Sequence, residues 1–327
     1  MKKVILYGAG NNLKSYMTDY QEILENVEMI IDGANDKIGK KIFEIEVKSK
    51  EELKRLPDET IIAITSDNYY ESIVKDIKEI NPNLKYMTFY EMIKMIYPEI
   101  GYCNLCNSRI HWWKWIGENN ETKNNIIGNG RRKGGCPICG SYDRYRWQYY
   151  VMKNYTELLH KECNVLHFAP EEMIVGKIKE NTKCLYYTAD IQSGRADYVV
   201  DITNIQFGDK VFNYIIANHI FEHILDEKRA ISELKRCLKD DGIIILSFPI
   251  CMEIDTLEDV NYISEQEKVR YYGQNDHVRL YGRDYKKRFE SYGLIIESFT
   301  PNKLLDKQTV IENGFIEDDV ILLCKKN

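Results

Sequence analysis

The sequence predicts an α/β protein in which two doubly wound sheets are separated by a cysteine-bearing segment. Residues 1–98 and residues 155–327 each alternate strand-like apolar runs with helix-like stretches, which is typical of parallel sheets covered by helices. Residues 99–154 instead are rich in Gly, Asn, Cys and aromatic side chains and show no clear period. At 327 residues, the chain is also long enough for two or three domains.

Composition indicates a folded protein without a membrane anchor. Hydrophobic residues make up 44% and charged residues 29% of the chain, and no stretch reaches the roughly eighteen apolar residues of a membrane-spanning helix. The apolar run Val4–Tyr7 ends at a glycine-rich turn without a small-residue cleavage site, which predicts a first strand rather than a signal peptide. Nine cysteines without an export signal favour free or metal-bound thiols over disulfides. We therefore expect a cytoplasmic protein.

The first segment carries part of a dinucleotide-binding pattern. A glycine-rich turn follows the first strand and opens a predicted helix, and an aspartate ends the second strand about twenty residues further on. Leu13 stands where the third glycine of the full pattern would lie, so the match is incomplete. The segment either binds a nucleotide or nucleotide-sugar, or serves only as a scaffold for assembly. The candidate nucleotide contacts are Gly8, Gly10, Asn11 and Asp32.

Two cysteine pairs in the second segment predict a structural zinc site. Cys103-x-x-Cys106 and Cys136-x-x-Cys139 can each place two thiolates about 2.3 Å from one ion, and together they complete a tetrahedron. The gap between the pairs exceeds that of a usual zinc ribbon, but its Asn- and Gly-rich middle can form a loop. Four sulfur ligands leave no position for water, so we expect the metal to stabilise the fold. The alternative is four buried free thiols.

The same segment is basic and aromatic. Residues 101–150 contain eight Lys or Arg against three Asp or Glu, a net charge of +5, and all four tryptophans of the chain. Such residues could stack on RNA bases and pair with phosphates. We favour the alternative, in which the aromatic side chains form the small core of a ribbon. The basic residues concerned are Arg131, Arg132, Lys133, Arg144 and Arg146.

Seven apolar runs in the third segment predict one doubly wound sheet. In such a sheet the carboxyl ends of neighbouring strands meet at one edge, where nucleoside cofactors bind. The runs cover residues 165–168, 184–188, 198–201, 212–217, 243–248, 295–299 and 320–323.

Polar residues follow the second, third and fourth of these runs. Asp190 ends the second run, where an acidic residue can grip a ribose diol. Asp201 and Ile202 end the third run, where they can contact an adenine, and Asn218 and His219 follow the fourth. Each aspartate alone could be a helix cap or a turn former. Their placement at successive strand ends favours a nucleoside site.

Five motifs lie within roughly residues 100–300 of the chain. They are Cys136–Ser141 with Arg144 and Arg146, Leu166–Glu171, Asn218–His223, Glu233–Gly242 and Gly273–Gly282. Together they resemble the zinc-ribbon subgroup of the type-11 methyltransferases, within the class I S-adenosylmethionine-dependent fold. The resemblance implies a seven-stranded Rossmann-like methyltransferase domain behind a zinc ribbon, with S-adenosylmethionine bound at the ends of the first three strands.

The first strand-end motif differs from that of most class I enzymes. Ala169, Pro170 and Glu171 stand where a Gly-x-Gly-x-Gly turn usually lets the backbone approach the methionine part of the cofactor. The subgroup shares this turn, so we expect it to seat the cofactor. Glu171 either holds the cofactor ammonium or favours the helix N-terminus through the helix dipole.

Methyl transfer from a sulfonium is an in-line displacement in which positioning supplies most of the acceleration. An acceptor that must lose a proton also needs a base, and His219 and His277 are the candidates because imidazole titrates near neutral pH. Asp276 can orient His277. The candidate acceptor contacts are Arg279, Tyr281, Glu258 and Asp259, the last two from a long loop after the fifth run.

The run His219-x-x-Glu222-His223 resembles in its spacing the metal-binding run of quinone O-methyltransferases. No further carboxylate accompanies it, so the sequence predicts no catalytic metal. His223 follows the fourth strand at a helix start and is expected to be a packed, hydrogen-bonded core histidine.

The first segment also resembles the small Rossmann-like domains that precede sugar-modifying transferases in bacterial surface-polysaccharide pathways. The leading expectation is therefore a methyltransferase for a small molecule or glycan, acting on oxygen rather than nitrogen, with a nucleotide-linked sugar as one such acceptor. The alternatives are an RNA methyltransferase that uses the basic segment, and a non-catalytic nucleotide-binding or regulatory protein.

Overall fold

A computed structural model describes residues 4–19, 21–118, 122–258 and 264–327. The chain divides into two units, Met1–Glu99 and Ile100–Asn327. The second unit includes both the cysteine-bearing segment and the third segment of the sequence. Among the residues described, no helix has the length and hydrophobicity that crossing a membrane requires.

The first unit is a six-stranded sheet with helices. Its strands are β1 (Val4–Tyr7), β2 (Val27–Asp32), β3 (Lys41–Ile42), β4 (Ile45–Ser49), β5 (Ile61–Ile64) and β6 (Lys85–Thr88). Its helices are α1 (Asn11–Asp19), α2 (Tyr70–Ile80) and α3 (Phe89–Ile96), with 3-10 turns at Gln21–Asn26 and Lys50–Arg55. The strand order is β3-β4-β2-β1-β5-β6, and every pair except β3 with β4 is parallel. The helix predicted to follow the glycine-rich turn is α1, and a 3-10 turn comes after it.

The second unit begins with two short antiparallel ribbons and a helix. The first ribbon pairs β7 (Gly101–Cys103) with β8 (Ser108–Ile110), and the second pairs β9 (Lys114–Ile116) with β10 (Arg132–Gly135). Helix α4 (Asp143–Tyr155) follows. Most of its side chains are buried, including Trp147, which has no exposed surface. The aromatic residues of this segment thus contribute to a core.

A seven-stranded sheet forms the rest of the second unit. Its strands are β11 (Cys163–Phe168), β12 (Cys184–Asp190), β13 (Tyr198–Val199), β14 (Phe212–Asn218), β15 (Leu238–Ser247), β18 (Leu294–Phe299) and β19 (Ile321–Lys326). The helices are α5 (Glu172–Lys179), α6 (Glu227–Cys237), α7 (Glu265–Tyr272), α8 (Tyr285–Ser291), α9 (Pro301–Leu304) and α10 (Lys307–Glu312), with a 3-10 turn at Phe221–His223. A separate parallel pair joins β16 (Ile250–Cys251) to β17 (Tyr281–Gly282).

The order of this sheet is β13-β12-β11-β14-β15-β19-β18, and β19 runs antiparallel to both of its neighbours. All seven predicted strands are present, so the predicted doubly wound Rossmann-like sheet is confirmed. The chain reverses direction across the sheet between β11 and β14, which is where such folds bind ligands at the carboxyl ends of the strands.

Both faces of this sheet are covered by apolar cores. Along β14, Ile215 and Ala217 belong to one hydrophobic cluster, whereas Tyr214 and Ile216 belong to another. Because successive side chains of a strand point to opposite faces, this alternation places a core on each side. A strand buried on both faces must be apolar throughout, which explains the continuous run in the sequence.

Helix α7 begins and ends at residues that are typical of helix ends. Ser264 and Glu267 form a capping box at its start, and Gly273 ends it in the left-handed region with φ of 97°. Glycine adopts this conformation without steric cost. The turn brings the segment that carries His277 and Arg279 back towards the end of β14.

Candidate active site and zinc centre

The turn after β11 has a glycine-like conformation without a glycine. Ala169 has φ of 44°, and its N–H donates to the carbonyl of Ala189 at the end of β12, over 2.8 Å. A left-handed conformation costs a non-glycine residue roughly 1–2 kcal/mol. Such cost is retained mainly where function requires the backbone path. Ala169 and Pro170 therefore turn the backbone at the end of β11, and their contact with the cofactor stays a prediction.

Glu171 is tied to a buried histidine that the sequence analysis did not single out. His167 is fully buried, with Nε2 2.8 Å from Glu171 Oε2 and Nδ1 2.8 Å from the Tyr186 hydroxyl. Burial acts to raise the pKa of Glu171, but the His167 contact outweighs it and holds this pKa below its ordinary value. The side chain caps no helix N–H. The sequence signal for this contact was the i, i+4 spacing of His167 and Glu171.

Asp190 and Asp201 lie at the predicted strand ends. One oxygen of Asp190 accepts from the Gln192 N–H at 2.7 Å, and one oxygen of the exposed Asp201 accepts from the N–H and hydroxyl of Thr203. Each aspartate therefore uses Oδ1 to fix its own turn. Ile202, beside Asp201, is buried. Their contacts to ribose and adenine remain predictions.

The end of β14 places three polar side chains together. Asn218 is buried, and neither atom of its amide group has a hydrogen-bond partner among the described residues. His219 has φ of 52°, and its Nδ1 lies 3.3 Å from Oε1 of the buried Glu222. Burial acts to raise the pKa of Glu222, but its contact with His219 and its attraction to His277 hold that pKa below the ordinary value. A carboxylate next to an imidazole orients it and stabilises its protonated form, as a general base requires.

His277 is buried, and its orientation differs from the expectation. Its Nδ1 donates to the Tyr272 carbonyl at 2.9 Å, and burial lowers its pKa. Asp276, expected to orient His277, instead has Oδ2 3.3 Å from Nδ1 of His223. The His223 side chain is 32% exposed rather than packed in the core, and its ring meets that of His277 edge to face at 4.7 Å.

Most of the candidate acceptor contacts are engaged within the protein. The guanidinium of Arg279 is fully buried and donates to the carbonyls of Phe221 and Ile224 and to the carboxylate of Glu258. Tyr281 is also buried and donates to Glu227. Asp259 lies outside the described residues. These contacts favour a structural role for Arg279 and Tyr281, and their contact with an acceptor stays a prediction.

The four predicted zinc ligands converge. All four sulfur atoms lie within 4.8 Å of one another, and the Cys103–Cys139 and Cys106–Cys136 sulfur pairs are each 3.8 Å apart. A tetrahedron with Zn–S bonds of about 2.3 Å has edges of about 3.8 Å. The arrangement therefore fits zinc in size and in ligand type.

Each cysteine pair is followed by a residue in the left-handed region. Gly140 has φ of 75° and Asn107 has φ of 57°. Glycine and asparagine are the residues that adopt this region most readily. The Gly140 N–H donates to the Cys136 carbonyl at 3.0 Å, so the backbone turns tightly around the second pair.

Two of the basic residues of this segment donate hydrogen bonds to other groups of the protein. The guanidinium of Arg146 is buried and donates to the carbonyls of Ser141, Asn313 and Gly314. Arg132 makes a two-bond contact with the buried carboxylate of Asp143. The Arg146 bonds to Asn313 and Gly314 join the zinc segment to the rest of its unit, and the Arg132 bonds lie within the segment. They favour the packing interpretation over an RNA surface.

The first unit has a cavity of about 690 Å³ beside its glycine-rich turn, and Gly8, Gly10 and Asn11 contribute to its lining. Asp32 also borders it, but both oxygens of its carboxylate accept backbone N–H groups, from Ala34 and Ala9. Burial acts to raise the pKa of Asp32, but these bonds hold it below its ordinary value. Asp32 thus fixes the turn and the following loop.

Solved structures are similar to about half of the chain. An S-adenosylmethionine-dependent methyltransferase from Archaeoglobus fulgidus shares 14% identity, with 55% of this chain and 93% of that chain covered and a TM-score of 0.38. One from Aquifex aeolicus shares 12% identity, with 54% and 87% covered and a TM-score of 0.36. The YcgJ protein of Bacillus subtilis shares 12% identity, with 56% and 99% covered and a TM-score of 0.37.

A comparison with curated proteins finds no match. The family described as C2185-like, N-terminal, matches residues 1–87. The family described as methyltransferase domain matches residues 142–298, which include β11 to β17 and all of β18 except its last residue. This match covers six of the seven strands of the large sheet together with its polar edge, and residues 142–298 are therefore a methyltransferase domain.

Proposed function

We propose that the protein transfers a methyl group to a hydroxyl oxygen of a small molecule or glycan, such as a nucleotide-linked sugar, in the cytoplasm. The observation that carries this proposal is His219 beside the buried carboxylate of Glu222 at the end of β14. A neutral hydroxyl must lose its proton during transfer, whereas a neutral amine can attack before losing one. A histidine paired with a carboxylate is therefore more useful for oxygen than for nitrogen.

The cofactor would lie across the ends of β11 to β14. Asp190 would hold the ribose diol, and Asp201 and Ile202 would contact the adenine, because they follow successive strands at one edge. Glu171 would face the methionine ammonium, which a carboxylate with a lowered pKa can attract. The unpartnered amide of Asn218 supports a ligand next to it, because a buried polar group without a partner costs about 1–3 kcal/mol.

In the proposed step the acceptor oxygen attacks the methyl carbon from the side opposite the sulfur. The carbon–oxygen bond forms as the carbon–sulfur bond breaks, and the bonding electrons leave with sulfur to give the neutral thioether. The hydroxyl proton passes to the imidazole of His219, and Glu222 stabilises the resulting positive charge.

The test is methyl transfer from isotope-labelled S-adenosylmethionine to a panel of sugars, nucleotide-sugars and small hydroxylated or amine acceptors, with the methylated atom located by mass spectrometry. His219→Gln should lower kcat about 100-fold or more and leave the affinity for S-adenosylhomocysteine unchanged. The exposed His160 provides the matched control, His160→Gln. A methylated nitrogen, or an unchanged kcat in His219→Gln, would contradict the proposal.

We further propose that one zinc ion binds the four cysteines and holds the ribbon. The 3.8 Å sulfur separations and the two left-handed turns support this assignment. When bound, the ion offsets two of the four thiolate charges and links their two loops. The chain's own contribution is to orient them, since the Ile138 N–H points at the Cys136 sulfur at 3.4 Å.

A second candidate function is nucleotide binding by the first unit. The cavity of about 690 Å³ at the carboxyl end of β1 supports it, because its size suits a nucleotide and its rim carries Gly8 and Gly10. Calorimetric titration with a uridine nucleotide-sugar and with a nicotinamide dinucleotide tests this idea. Replacing Gly10 with valine should remove the binding, and an absence of heat with either ligand would favour the scaffold alternative.

A further inference from the structure

A second group of metal-binding side chains lies next to the proposed base. Glu222, His223 and His277 each offer one ligand atom, and these atoms lie within 4.8 Å of one another. Glu222 and His277 are each only 1% exposed. Oε2 of Glu222 and Nε2 of His277 have no hydrogen-bond partner in the described part of the chain. Because unpaired buried polar atoms are costly, this arrangement calls for a ligand that both atoms bind.

Both histidines are held in the way that metal-bound histidines usually are. Nδ1 of His277 donates to the Tyr272 carbonyl, and Nδ1 of His223 lies 3.3 Å from the Asp276 carboxylate. A histidine that binds a metal almost always gives its other ring nitrogen to a carbonyl or a carboxylate. In each ring Nε2 is then the nitrogen left for a ligand.

The two segments that carry these side chains are fixed to each other. The Val278 N–H donates to the Glu222 carbonyl at 2.8 Å. The buried Arg279 next to it donates to the carbonyls of Phe221 and Ile224, on either side of Glu222 and His223. Because the ligands are already positioned by backbone bonds, little ordering is needed when an ion binds.

We propose that Glu222, His223 and His277 bind one divalent transition-metal ion at the carboxyl end of β14. Two imidazoles and one carboxylate suit ions such as Zn²⁺, Fe²⁺ or Mn²⁺ and leave further coordination positions open for oxygen atoms. In that place the ion would hold an acceptor oxygen beside His219 and favour its loss of a proton. This role rests on the proposed O-methylation, whereas the binding of the ion does not.

The test is a titration with Co²⁺ of the full-length protein that carries one equivalent of zinc per chain, enough for the four cysteines alone, followed by absorption spectroscopy. Nitrogen and oxygen ligands give Co²⁺ weak ligand-field bands, whereas binding at the cysteines would add intense sulfur-to-metal charge-transfer bands. We expect one equivalent of Co²⁺ with ligand-field bands alone. His277→Gln and the more exposed His223→Gln should each weaken this binding at least about tenfold, and His160→Gln should not change it.

Binding of S-adenosylhomocysteine by each variant shows that the second unit is folded. Absence of a Co²⁺ complex in the wild type, bands from thiolate ligands only, or wild-type affinity in both histidine variants would each overturn the proposal. Because the readout needs neither acceptor nor turnover, it separates the metal site from the proposed reaction. A bound ion without O-methylation of any acceptor would count against the proposed function alone.

Discussion

Replacing Arg279 with lysine should destabilise the second unit rather than weaken acceptor binding. The guanidinium of Arg279 has no exposed surface and donates to the carbonyls of Phe221 and Ile224 and to the Glu258 carboxylate. Lysine keeps the positive charge, but its single nitrogen cannot reproduce the planar fork of donors. At least one carbonyl would then remain buried without a donor, whereas the Glu258 carboxylate is 37% exposed and keeps Arg288 as a partner.

The expected loss follows from these contacts. A hydrogen bond to a charged group contributes about 1.5–3 kcal/mol, and lysine loses at least one such bond and leaves a buried carbonyl without a donor. Because lysine retains the charge and one bond, we expect about 3 kcal/mol, at the upper end of that range. For a domain of 150–250 residues this lowers Tm by about 6–12 °C.

Tryptophan fluorescence measures this loss in the intact protein. All four tryptophans lie between residues 112 and 147, so the signal reports on the second unit and not on the first. Arg283→Lys is the matched control, because Arg283 is 60% exposed and its ion pair in the described part of the chain is with the exposed Asp255; its Tm should stay within about 2 °C of wild type. A Tm of Arg279→Lys within about 2 °C of wild type, with a raised KM for the acceptor, would refute the structural role.

Three further perturbations have defined outcomes. Asp190→Ala should weaken the binding of S-adenosylhomocysteine about 10-fold to 100-fold by calorimetry, because a charged hydrogen bond to the ribose is lost; equal loss in Asp241→Ala, an exposed residue near the start of β15, would contradict this site. Cys136→Ser should leave less than one zinc ion per chain by elemental analysis and lower the fluorescence-detected Tm, since metal binding is coupled to folding; a full complement of zinc would exclude the tetrathiolate site. Burial raises the pKa of Asp319 from 3.8 to about 6, so its contribution to stability is complete below about pH 4 and is lost as pH rises through about 6. Asp319→Asn should therefore raise the free energy of unfolding at pH 7.5 by about 2–3 kcal/mol relative to wild type. If variant and wild type had the same free energy of unfolding at every pH between 4 and 7.5, that would count against the burial of this carboxyl group.

The sheet was predictable from the sequence because each of its strands is an apolar run bounded by polar residues. The runs that end before Asp190 and Asn218 predicted the ends of β12 and β14 to within one or two residues. Because β11 is parallel to both of these strands, their carboxyl ends lie at the same edge of the sheet. The cysteine pairs were predictable for a similar reason, since two ligands within four residues need only a local turn.

The side-chain pairing around the site was not predictable in the same way. Asp276 is adjacent to His277 in sequence but lies beside His223, because α7 and the turn at Gly273 set the direction in which each side chain points. Arg279 contacts carbonyls more than fifty residues earlier in the chain. The periodicity of the sequence does not predict contacts between residues so far apart, and the residue type alone does not show whether an arginine is buried or exposed.

The position of β19 has a consequence for how the protein is made. This last strand in sequence order lies between β15 and β18 and supplies the hydrogen bonds on which β18 depends. On the ribosome, β18 emerges before β19 and lacks the strand with which it pairs, so the second unit cannot complete its sheet until β19 has been synthesised. The first unit, a separate compact unit of the chain, is free to fold during that interval.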